Sequence, residues 1–72
     1  MKWVQDGKDQ WRLAEDGFSG RAALQQTNQG FVAAISVEEE QFDLELLDER
    51  EFFEKEDDAR TYLQEKMEQD SY

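Results

Sequence analysis

Nineteen carboxylates dominate the side chains of this sequence that could do chemistry, and they have few partners to do it with. There is no histidine and no cysteine. No conventional nucleophile–base pair can therefore be assembled, and Ser19, Ser36 and Ser71 have no imidazole to activate them. A Ser–Lys dyad would have to draw on Lys2, Lys8, Lys55 or Lys66, all in polar contexts. Two carboxylates could share acid and base roles, but one of them needs a cleft that raises its pKa. A chain of 72 residues leaves little volume for such a cleft. The expectation is a protein that is not an enzyme.

Ligand chemistry is equally sparse. Without thiolate or imidazole a structural zinc site is excluded. The calcium-loop pattern D-x-[DN]-x-[DN]-G with a later Glu is absent. Asp6-Gly7-Lys8-Asp9 puts a lysine where a cation would sit, and Glu38-Glu39-Glu40 offers only weak, nonspecific divalent binding. Gly17-Phe18-Ser19-Gly20 leads into no helix N-terminus that could hold a phosphate. No metal and no cofactor are expected.

What the carboxylates do have is an uneven distribution. Residues 1–34 balance four acids with four bases, whereas residues 35–72 hold fifteen acids against four bases, so the net charge of −11 sits in the second half. Within residues 38–58 alone there are twelve acids and two bases, Arg50 and Lys55. A field so lopsided bears on partners and solubility more than on fold. It repels nucleic-acid backbones and anionic headgroups, which argues against direct DNA, RNA or membrane binding. The opening residues carry no signal-like apolar run and no segment approaches spanning length, so the cytoplasm is the default location.

Three roles compete for this surface. A charge run is most often a solvated face, here keeping a thinly packed protein soluble or adapting it to high salt. A second role is docking onto a basic patch of another protein, with attraction that fades as salt rises. The third is mimicry of nucleic acid, by analogy of size and composition with the small acidic inhibitors of phages and mobile elements. Alternate strand side chains are about 6.6 Å apart, so Asp43 and Glu45 would form a short row of negative points. The expected partner-binding set is Glu38, Glu39, Glu40, Asp43, Glu45, Asp48, Glu49, Glu51 and Glu54.

The elements that must position these groups follow from pattern and punctuation. High charge and a mean hydropathy of −1.01 would suggest disorder, but nine aromatics spread along the chain argue for a packed core. Asp6-Gly7-Lys8-Asp9 separates two short tryptophan-bearing runs and predicts a hairpin, with Trp3 and Trp11 packing across it. Asp16-Gly17-Phe18-Ser19-Gly20 and Asn28-Gln29-Gly30 mark two further turns. Phe31, Ala33, Ile35 and Val37 alternate onto one strand face, leaving Val32, Ala34 and Ser36 on the other. Phe42, Leu44 and Leu46 alternate against Asp43 and Glu45 in a strand over 41–47, while Phe52 and Phe53 form a short edge strand or a plug beneath a helix.

After that the apolar period lengthens. Ala59, Tyr62, Leu63 and Met67 make a helical stripe, Glu56, Asp57 and Asp58 suit the positive end of its dipole, and Glu56 pairs with Arg60 at i, i+4. Asp57 is the expected cap, and the tail after Met67 is expected to fray. The predicted architecture is a single α+β domain over 1–72, an antiparallel meander of four or five strands with one C-terminal helix on its apolar face. Its core would hold Trp11, Leu13, Leu24, Phe31, Ile35, Phe42, Leu44, Leu46, Tyr62, Leu63 and Met67.

The role this predicts is a small acidic, non-enzymatic binding or inhibitor module. Its partner would be a protein with a basic patch, in the sharpest version a nucleic-acid-binding protein. The alternative is a structural accessory protein that forms a homodimer through its bare sheet face or edge, with the acids serving solubility.

Overall fold

A computed structural model describes residues 2–68. Five strands precede one helix: β1 (Trp3–Gly7), β2 (Gln10–Leu13), β3 (Phe18–Gln26), β4 (Phe31–Glu39), β5 (Leu44–Phe53) and α1 (Glu56–Met67). The strands form one antiparallel sheet in the order β1-β2-β3-β4-β5, so every connection is a short turn between neighbours. This is the α+β meander with a C-terminal helix that the residue pattern predicts.

The period-2 alternation sets which side is covered. Register aligns Trp11 with Ala22, Ala22 with Ile35, and Leu24 with Ala33, which gathers the apolar positions of β2, β3 and β4 on one face. Across that face lies α1, whose Ala59 and Leu63 are buried against Ala22, Leu24, Ala33 and Ile35. Trp3, Trp11, Phe31, Leu47, Phe53, Tyr62 and Met67 close the rim. The Phe53 and Tyr62 rings meet in a tilted pair with centroids 5.3 Å apart. Gly20 is part of this packing. A Cβ there would lie 2.8 Å from the Ser36 carbonyl oxygen and 3.1 Å from the tip of the Trp3 ring, so its absence lets Trp3 lie over β3.

Ion pairs fasten the helix at both ends. Arg60 reaches Glu56 at 2.7 Å, as the i, i+4 spacing predicts, and also Asp9 at 2.8 Å in the β1–β2 turn. These two acceptors, Glu56 foremost, raise its guanidinium pKa above the ordinary arginine value. Lys66 lies 2.7 Å from Glu49 of β5 and 5.5 Å from the centre of the Tyr62 ring.

Three expectations need correction. Phe42 and Leu44 are not core residues, being 69% and 53% exposed. Phe42 belongs to the β4–β5 turn rather than to a strand over 41–47, and β5 instead runs on to Phe53. The helix is capped at Lys55, without a side-chain cap bond, and not at Asp57, which falls inside the first turn. Apart from Glu68, the tail expected to fray lies outside the described residues.

Candidate interaction surface

The predicted partner-binding acids are divided by the fold into three groups. The first is the end of the β4–β5 hairpin. Glu38 of β4 stands directly opposite Glu45 of β5, an unfavourable arrangement of like charges across a strand pair. A bulge causes it: Val37 pairs with Leu47 and Glu38 with Glu45, so Leu46 is the extra residue. The insertion resets the alternation and turns Glu45 to the side of the sheet away from the helix. There a hydrogen bond with Asp48, the Asp48 charge and the Glu38 charge raise the Glu45 pKa above its ordinary 4.5.

The turn itself is organised by a member of the predicted set. The Glu39 carboxylate accepts the Gln41 N–H at 3.0 Å and the Phe42 N–H at 2.8 Å, so Glu39 is occupied in closing the hairpin. Glu40 is exposed at the tip, its own N–H donating to the Gly17 carbonyl at 2.9 Å. Asp43 has φ 54°, a left-handed conformation that aspartate tolerates better than most residues. Asp43 and Glu45 therefore do not form a regular row on one strand face, because Asp43 is in the turn. Phe42 and Leu44 project from this same acidic tip.

The remaining acids are elsewhere. Glu49 is beneath the helix, held by Lys66. Glu51 is exposed on β5 opposite Ala33, toward the helix side. Burial first, then the nearby Glu49 and Glu51 charges, raise the Tyr62 phenol pKa, with Lys66 opposing them. Glu54 is exposed in the bend between β5 and α1. Of nine predicted residues, the fold thus gathers Glu38, Glu40, Asp43, Glu45 and Asp48 at the hairpin end, and it uses Glu39 and Glu49 for internal contacts.

A basic feature on the same sheet escaped the sequence reading. The face away from the helix shows Val32, Ala34 and Ser36 as expected, but also Arg12, Arg21 and Arg50, three of the chain's four arginines. Arg12 stands directly opposite Arg21, Arg21 opposite Ser36, and Ser36 opposite Asp48. Arg21, Ala23, Ala34, Ser36, Asp48 and Arg50 line a shallow depression at its centre. The available signal was parity, since Arg12, Arg21 and Arg50 are each an odd number of residues from a core-facing neighbour. Using it required the strand register.

Among the described residues no group of acids is placed to hold a metal ion, and no helix is long and apolar enough to cross a membrane. Comparison with known proteins returns no match to a protein family, to a curated protein or to a solved structure.

Proposed function

We propose that this chain is a non-enzymatic binding module that docks a basic surface of another protein through the tip of its β4–β5 hairpin. The observation that carries the proposal is the exposure of Phe42 and Leu44, 69% and 53%, in a hairpin end whose neighbouring residues Glu38, Glu40, Asp43 and Glu45 are exposed acids. An acidic loop needs no apolar side chains to stay soluble. A docking tip does, because desolvated aromatic and aliphatic anchors supply affinity while surrounding charges steer the encounter. Cytoplasmic inhibitors of nucleic-acid-binding proteins fit this chemistry, since their targets present basic grooves. Displacement of Asp43 into the turn removes the regular row of charges on which strict nucleic-acid mimicry relied, so the favoured contact is an apolar plug with acids along the same hairpin end.

The test is comparative capture from native lysate at low and physiological salt. Wild-type chain is set beside Phe42→Ser/Leu44→Ser and beside Glu40→Lys/Asp43→Lys. Proteins held by the wild type should be basic and released by salt. They should be lost from the apolar variant at all salt concentrations, and from the charge variant most clearly at low salt. Equal capture by all three chains would refute docking through the tip.

A further inference from the structure

Arg12, Arg21 and Arg50 have no carboxylate partner in an ion pair among the described residues, although the molecule carries a net charge of −11. Two of them are set side by side, which costs stability unless something answers the charge. A foreign anion is poorly suited to this face. It would meet Glu38, Glu45 and Asp48 in the adjoining strands as soon as it reached the arginines. The face suits an occupant whose charges run in the inverse order across the strands.

We propose that the open sheet face is self-complementary and docks a second copy of this chain face to face, about a two-fold axis parallel to the strands and running between β3 and β4. The register makes the consequences explicit. One cross-strand row reads Val4, Arg12, Arg21, Ser36, Asp48. Turned about this axis, β2 faces β5 and β3 faces β4, so Arg12 meets Asp48 of the second copy and Arg21 meets its Ser36. In the next row, Gln10, Ala23, Ala34 and Arg50, Ala23 meets Ala34 and Arg50 meets Gln10. Asp6, bulged from β1 beside Gln10, is then the acid nearest to Arg50. Small residues fall at the axis, where two sheets must approach to roughly 10 Å, and the charged side chains fall to either side.

Size sets the strength. Four overlapping strands are roughly 19 Å wide and up to about 30 Å long, on the order of 500 Å² a side, below the ~800 Å² per partner of a standard interface. The dimer is therefore weak. It also brings together two copies of net charge −11, so it tightens as salt screens their repulsion, opposite to docking on a basic partner. An axis along the strands projects both hairpin tips from the same end, presenting the proposed docking site twice.

The test is sedimentation equilibrium of the full chain up to about 1 mM, in low salt and in about 0.5 M salt, with far-UV circular dichroism to verify folding. The expected result is a reversible dimer that is tighter in the higher salt. Arg12→Asp sets two carboxylates against each other and Asp48→Arg two guanidiniums. Each should weaken association about tenfold or more, and the double variant should restore it because the pair is simply exchanged. Phe42→Ser/Leu44→Ser should leave association unchanged, which keeps this result distinct from the fate of the docking tip. A chain that stays monomeric in both salts overturns the proposal, as do charge-reversal variants that associate like wild type or a double variant that fails to recover. If Arg12→Asp does not fold, Arg12→Gln carries the same reading through loss of one pair.

Discussion

One face of this sheet holds Leu13, Ala22, Leu24, Ala33, Ile35 and Val37, all buried, beneath or beside a helix that adds Ala59 and Leu63. The opposite face of the same strands holds Arg12, Arg21 and Arg50 around Ala34 and Ser36, with Glu38, Glu45 and Asp48 toward one end. Neighbouring residues in the chain thus obey different physics. On the helix side, area removed from water stabilises the fold, and the carboxylate that lies beneath the helix, Glu49, is answered by Lys66. On the open side, like charges are tolerated at close quarters, Arg12 against Arg21 and Glu38 against Glu45. Such pairs contribute nothing favourable to the isolated fold, and a partner of opposite charge would relieve them.

The contrast can be broken by exchanging equivalent losses between regions. Leu63→Ala, at a position 1% exposed, should cost about 3 kcal/mol. For a domain this small that is a large part of the total stability, so urea unfolding should shift to a much lower midpoint or the chain should not fold. Leu44→Ala, the same chemical change at the exposed hairpin, should stay within about 0.5 kcal/mol. Similar costs at the two sites would mean that the hairpin is covered in the free chain.

A smaller effect separates the bases. Lys66→Ala removes the 2.7 Å ion pair with Glu49 and the contact over Tyr62. It should lower stability by about 1 kcal/mol, read as a change in denaturation midpoint. Arg50→Ala on the open face should change the monomer's stability by less than about 0.5 kcal/mol.

The finest test uses pH. The folded-state pKa of Glu45 lies above 4.5 because Asp48, and to a lesser degree Glu38, favour its protonated form. The folded chain therefore binds that proton more tightly than the unfolded one. The resulting stabilisation is complete below 4.5 and is lost as pH rises through the raised value. Glu45→Gln should accordingly raise the melting temperature slightly at neutral pH, with the gain vanishing as pH falls toward 4.5. A gain that is constant with pH would point to a cause other than charge.

Much of the fold was legible because it rests on local signals. The turns at Asp6–Asp9 and Asn28–Gly30, the alternation from Phe31 to Val37 and the stripe Ala59–Tyr62–Leu63–Met67 each follow from conformational preference or period over a few residues. The β4–β5 hairpin was misread for an equally specific reason. Phe42, Leu44 and Leu46 alternate as a buried strand would, but the two hydrogen bonds from Glu39 close the turn through Phe42 and the Leu46 bulge resets the period. Neither device has a clear signature in residue type.

The acidic half, the lack of histidine and cysteine, and the pairing of one helix with one sheet were thus determined by the sequence by itself, because composition and periodicity are properties of the chain at short range. Which acids stand together, and the presence of three arginines on a face of an acidic protein, were decided only by the tertiary structure. Arg12, Arg21 and Arg50 are separated by 9 and 29 positions in the chain. They become neighbours only when strand register lays their rows side by side, and register is set by long-range pairing under a buried face.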